Sequence, residues 1–382
     1  MKHLTLLFIL VMCSCNYQNE QELFLITPNA EITLRWVKNY PKESQENMQT
    51  GLYWALSQLG AKLPENEENN LIKWKTDDLF NLNLDYAGFN SQALSALTKL
   101  NNILIGSEEY KKMNGIDVGR YIMLTINSSW HYFKITGQSK NITSFKNSYT
   151  LDDNVAYVQN SSVAKGDRIL EFSDAQKYNQ IAYLASEGTG KIGKGTFVIV
   201  EQETLDVMEN GQIRFGIYNP LGELKLAGNP KITIAGKPAK CMWCHESGIQ
   251  QFFQETPLYE EPMNEAEFLL VRENDHKLID EQRSFVNSLV NYDNRQDHTN
   301  TELLYLSFFE PSARRLSIEW NIDESQVREM LKNEVTHINR EFNILGENLY
   351  WRNDIDKYTP YQFIRTPSDP RELSEYEPNL IF

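Results

Sequence analysis

Apolar residues recur at a helical interval from Glu46 to Leu59, where Met48, Leu52, Trp54, Ala55, Leu56 and Leu59 form a stripe. Gly60 is the stop signal, with Pro64 just beyond. A second helix is predicted over Ser91 to Ile105, with Ser91 as N-cap and Leu94, Leu97, Leu100 and Ile103 facing inward. From about residue 118 the pattern turns to strands. Tyr121–Ile126 and His131–Thr136 are β-rich runs around Asn127-Ser128-Ser129 and predict a hairpin. Further strands are expected near Asn154–Gln159, Arg168–Phe172, Ile181–Ala185, Thr196–Thr204 and Gln212–Tyr218, with Asn210-Gly211 as a hairpin turn. Past Lys240 the spacing is helical again: Asn264–Asn291, Thr301–Phe309, Ala313–Trp320 and Glu324–Leu345. From Asp354 the chain carries Pro360, Pro367, Pro370 and Pro378 and must be extended. Tyr358, Tyr361, Phe363, Tyr376 and Phe382 predict that this tail packs along a surface.

The expected architecture has two parts. An α+β region with an antiparallel sheet, residues 23–235, precedes a mainly α-helical region, residues 236–382, that ends in the extended tail. A length of 382 residues suits two domains. Hydrophobic residues at 41% and aromatics at 12% supply a core and exclude global disorder. Acidic residues outnumber basic ones 52 to 37, for a net charge of −15, so the surface repels phosphate backbones and no nucleic-acid partner is expected. Four cysteines are too few for a disulfide-stapled scaffold. Two lie near the N-terminus and two flank a short motif in the middle.

Residues 1–15 read MKHLTLLFILVMCSC. Lys2 gives a positive start, and the apolar run Leu4–Met12 is too short to span a bilayer, which takes about 20 residues. This is the pattern of a secretory signal. Its end in Cys-Ser-Cys resembles the signal of bacterial lipoproteins, in which a cysteine after the apolar run is lipidated and becomes the first residue. Cys15 is the better candidate, because small Ser14 precedes it whereas bulky Met12 precedes Cys13. The expectation is a signal over 1–14, a lipidated polar tether over 15–22, and an exported protein anchored in the bacterial cell envelope through its lipid.

Residues 241–245 are Cys-Met-Trp-Cys-His, the C-x-x-C-H pattern of c-type haem attachment. Two thiols separated by two residues reach the two vinyl groups of one haem edge and form thioethers. The histidine that follows is held beneath the iron as proximal ligand. If the segment after Cys244 is helical, His245, Ile249, Phe252 and Phe253 share a face that would bury a haem edge, and Gly248 would let the porphyrin approach the backbone. The same stripe also reads as plain core. The motif resembles those of c-type cytochromes, firmly over five residues and loosely over 236–345. The resemblance implies a cytochrome-c-like helical region with one covalent haem c on Cys241 and Cys244, iron on His245, and a redox partner protein. An export signal agrees, because haem c is attached outside the bacterial cytoplasm.

Three rivals stand beside this reading. A Cys241–Cys244 disulfide of thioredoxin type needs a strand before the motif, for which Lys231–Ala235 qualifies, and a helix after it. A zinc site needs further ligands. An inert reduced pair is the third. For the sixth haem ligand, Met263 and His276 follow the motif closely, while His298, Met330 and His337 lie later and Met242 and His131 complete the choices. An open iron is the remaining alternative. Two strong axial ligands favour electron transfer or redox sensing, whereas an open site permits a haem enzyme such as a peroxidase. A Cys241–Cys244 disulfide in place of haem would fit a non-catalytic envelope binding protein.

Gly188 to Gly193 matches G-x-G-x-x-G but leads into a strand rather than a helix, so no nucleotide is expected. Ala313–Leu331 has a helix-turn-helix cadence and reads as two packed helices with Asp323 near the second N-cap.

Overall fold

The computed structural model describes residues 30–38, 40, 42–63, 70–151, 155–158, 163–250, 265–286, 290, 295–368 and 377–382. The expected signal and tether, with Cys15, and the candidate ligand Met263 therefore lie outside the described residues.

Strand β1 (Glu31–Arg35) is followed by helix α1 (Gln45–Gln58), β2 (Ile72–Trp74), β3 (Leu79–Asn83), α2 (Ser91–Gly106), α3 (Glu108–Met113) and β4 (Ile116–Asp117). Three short helices come next: α4 (Val118–Thr125), α5 (Ser129–Thr136) and α6 (Ile142–Ser148). Strands β5 (Val155–Val158), β6 (Arg168–Phe172), β7 (Ala182–Thr189), β8 (Val198–Val207) and β9 (Ile213–Tyr218) then precede helices α7 (Pro238–Cys244), α8 (Glu265–Val286), α9 (Arg295–Phe309), α10 (Ala313–Trp320) and α11 (Glu324–Met330). The chain closes with β10 (Thr336–His337), β11 (Leu349–Tyr350) and α12 (Arg352–Ile355).

One sheet has the order β2-β3-β1-β4 and is antiparallel except for the β1–β4 pair. The second is a five-stranded antiparallel meander, β5-β6-β7-β8-β9. Side chains alternate across it. Ala182 and Leu184 pack against Phe145 of α6 on one face. The opposite face, which carries Tyr183, Ala185, Glu203, Leu205 and Phe215, is turned to the segment containing α7.

Helix α9 packs against α1 and α4. Glycine makes both crossings possible. A Cβ at Gly51 would lie 2.8 Å from the Asn300 backbone, and one at Gly119 would lie 2.3 Å from Leu304 O. The Thr301 hydroxyl donates to Gly51 O at 2.7 Å across the first crossing.

The expected division into an α+β region and a cytochrome-c-like helical region is overturned. The motif helix α7 lies on the five-stranded sheet, and a single hydrophobic cluster joins Leu34, Leu52 and Ile122 to Phe215, Met242, Phe268 and Leu304. Helices α8 and α9, after the motif, join this core, and α10 and α11 form a smaller cluster with Tyr350, Ile355 and Tyr361. Two local expectations also fail. Tyr121–Ile126 and His131–Thr136 lie in helices α4 and α5, not in a hairpin. Both segments are buried on nearly every side, so their apolar spacing carries no period, and the caps decide. Asp117 accepts from Gly119 N and Arg120 N, and Ser128 accepts from His131 N. The helix expected to run to Leu345 stops at Met330, before the β-branched run Val335-Thr336. The meander, the hairpin at Asn210-Gly211 and the helices α1, α2 and α10 lie where the sequence placed them. Asn90, one residue before Ser91, caps α2.

Candidate functional site

Helix α7 begins with Pro238 at its first turn, where the missing N–H costs nothing, and ends at His245. Cys241 and Cys244 are three residues apart in it and share a face. Met242 points the other way and is 1% exposed in the core. Both cysteines are free thiols, Cys241 half-buried and Cys244 exposed. Together with His245 they line a cavity of about 440 Å³ between the motif and the sheet. That volume falls within the range of cofactor and small-molecule sites. Leu170, Ala185, Leu205, Phe215 and Phe268 make the cavity wall largely apolar, and Arg168 and Glu203 place charge in it.

His245 is poised as a neutral ligand. Its Nδ1 donates to Gly248 O at 3.1 Å, which fixes the tautomer and leaves the Nε2 lone pair available. Burial pushes its pKa down to about 4, and the Gly248 bond opposes that shift. Phe215 of β9 packs on the ring with centroids 5.4 Å apart. Burial, reinforced by Glu203, raises the Cys241 thiol well above its ordinary value, and the Arg168 guanidinium opposes this.

The strand register builds the charged wall. Arg168 pairs across the sheet with Glu187, and Glu187 with Glu201, so Arg168, Glu187 and Glu201 form one row. Glu203 stands opposite Ala185 in the next row along β8. Arg168 binds Glu187 and reaches Glu203 at 3.5 Å, while Lys225 binds Glu201, which also accepts from Asn229 N at 2.8 Å. Burial and the nearby Glu187 push the Glu203 carboxyl up to about 8, with Arg168 opposing. Glu187, Glu201 and Glu203 bring carboxylate oxygens within 4.8 Å of one another. Arg168 and Lys225 already neutralise two of these three charges.

The stripe expected after Cys244 is not helical. The helix ends at the motif, and Phe252 and Phe253 lie outside the described residues. Gly248 serves a different neighbour than expected: its φ is +131°, and a Cβ there would meet the His276 ring at 2.8 Å. His276 Nε2 accepts from Ile249 N at 2.8 Å, which ties up the nitrogen nearest the motif. His131 is fully buried, with Nδ1 against Leu124 O and Nε2 accepting from Leu380 N. His298 lies between the rings of Trp54 and Trp243 beside Glu246 and Glu302. His337 is bound to Glu310 and stacked on Trp351, and Met330 is 38% exposed on α11. Among the described residues that line the cavity, His245 is the one histidine and methionine is absent.

The thioredoxin-type rival finds no matching frame. Residues 231–235 contribute only an isolated bridge at Thr233, and the cysteines sit toward the C-terminal end of α7, where the helix dipole does not stabilise a thiolate. The loop with the glycine spacing joins β7 to β8 with no helix after it. Arg168, Glu203 and Phe215 carried no linear motif. The only trace in sequence is that Glu201 and Glu203 occupy alternate positions of one predicted strand.

Comparison of the chain with protein-family models, with curated proteins and with solved structures gives no match.

Proposed function

We propose that this chain is an envelope redox protein carrying one haem c, joined by thioethers to Cys241 and Cys244 and ligated by His245. The observation that carries the reading is the convergence of two unbridged thiols and an imidazole with fixed tautomer on one apolar-walled cavity. The apolar wall would bury the macrocycle, and Arg168 offers a cation to its carboxylates. The bound group would supply one-electron iron chemistry. The chain's residues hold the haem edge, orient the imidazole through Gly248 O and exclude water with Leu205, Phe215 and Phe268.

Between electron carrier and haem enzyme, one observation favours the enzyme. Arg168 and Glu203 line the cavity, and among the described lining residues no second histidine and no methionine is present to serve as a carrier's further ligand. A guanidinium and a carboxyl held protonated near neutral pH suit the binding and protonation of a small oxidant such as a peroxide. Export and lipidation at Cys15 would place this chemistry on the membrane, facing a redox partner.

The test is acidified-solvent extraction followed by proteolysis of protein made with haem c maturation machinery. The haem should stay with the polypeptide and map to the peptide holding Cys241 and Cys244. Cys241→Ala and Cys244→Ala should each weaken attachment. Haem that leaves with the solvent from the wild-type chain would overturn the proposal.

A further inference from the structure

Trp243, inside the motif, lines the cavity and also belongs to a stack of rings that leads away from it. Its ring is nearly parallel to Tyr305 of α9, at 5° with centroids 6.0 Å apart, and to His298, at 25° and 5.1 Å. His298 in turn stacks on Trp54 of α1 at 5.4 Å. Four rings thus connect the cavity wall to two helices of the core. The Tyr305 hydroxyl donates to Glu302 Oε1 at 3.4 Å, and Tyr305 and Trp54 are 0% and 1% exposed. Indole and phenol are the readily oxidised side chains after thiols. A phenol gives up its electron easily only when its proton has an acceptor, and Glu302 is in place for that.

We propose that Trp243 and Tyr305 form a one-electron relay to a haem held at Cys241 and Cys244, with Tyr305 as end donor and Glu302 as proton acceptor. This rests on the haem reading, with hydrogen peroxide as the oxidant. Reduction of hydrogen peroxide to two waters takes two electrons and two protons. One electron passes from the Trp243 indole to the haem. The Tyr305 phenol refills the indole and hands its proton to Glu302, leaving a neutral phenoxyl. A bound haem would supply the second electron, and the two protons that form water come from solvent. External donors later return one electron to Tyr305, whose proton comes back from Glu302, and one electron to the haem, so that both oxidised sites are restored. Trp54, reached through His298, offers a second indole over which the oxidation can spread.

The experiment is freeze-quench electron paramagnetic resonance of the ferric holoprotein mixed with one equivalent of hydrogen peroxide. Each sample is first checked for haem c by its alkaline pyridine spectrum. Wild type should give a tyrosyl radical. Tyr305→Phe keeps the ring and the stack, and should replace that signal with a tryptophanyl one. Trp243→Phe should lower the tyrosyl yield at least tenfold when compared with wild type at equal haem c content. The same tyrosyl signal in wild type and Tyr305→Phe, or no protein radical in any haem-loaded sample, would overturn the relay alone. A pyridine spectrum without haem c would overturn the attachment reading before any peroxide is added, and the relay with it.

Discussion

Glu203 shows how a single side chain is tuned by its place in the sheet. Its neighbours are Glu187, Glu201, Arg168 and Lys225, and burial raises its carboxyl to about 8 from an ordinary 4.5. The proton it keeps in the folded chain is one the unfolded chain loses near pH 4.5. Its contribution to stability is therefore full below that pH and disappears as pH rises through about 8. Glu203→Gln removes this dependence. Urea unfolding of the variant should show a smaller loss of stability than wild type between pH 5 and 8.5, by roughly 1–3 kcal/mol. Parallel curves for the two proteins would show that Glu203 is ionised throughout.

At the scale of elements, the helices that meet α9 depend on missing side chains. Gly119→Ala would put a Cβ 2.3 Å from Leu304 O and 2.8 Å from Phe308 Cβ, so α4 and α9 must separate. The expected cost is about 2–3 kcal/mol, read as a lower urea midpoint. Gly106→Ala, at the end of α2 with nothing within 4 Å, is the matched control and should be near neutral. An equal midpoint for both variants would contradict the crossing. The same elements show what the sequence discloses. Strands β6 to β9 were legible because one face is apolar and the turn at Asn210-Gly211 is strong. Helices α4 and α5 were not, because Tyr121, Ile122, Met123 and Leu124 are all buried and only the capping oxygens of Asp117 and Ser128 distinguish helix from strand. The Cys-x-x-Cys-His motif was visible in sequence because its spacing is local. Arg168, Glu203 and Phe215 reach the same cavity only through cross-strand register, which a linear pattern does not contain.

Among the described residues one large hydrophobic cluster spans most of the fold, beside two smaller ones, and the extended tail helps close it. Lys237, one residue before α7, forms a buried ion pair with Glu377, which also accepts from Ser129 N at 2.7 Å. Phe382 packs on Trp130. The tail thus ties the segment bearing the cysteine motif to α5. Among the described residues no helix is long and apolar enough to cross a membrane. The proposed envelope attachment rests on the lipid on Cys15, where two or more acyl chains would hold firmly while one is marginal. On detergent phase separation the wild-type protein should enter the detergent phase and Cys15→Ala the aqueous phase. Wild type in the aqueous phase, or lipid mapped to Cys13, would contradict the anchor.

The central claim is covalent haem on this cavity, and the alkaline pyridine spectrum of the purified holoprotein tests it most directly. Saturation of each vinyl group by a cysteine shifts the reduced α-band to shorter wavelength than that of unattached haem. Two thioethers predict the full shift for wild type, with half the shift in Cys241→Ala and in Cys244→Ala. A wild-type band at the position of unattached haem, or no haem band at all, would contradict the account.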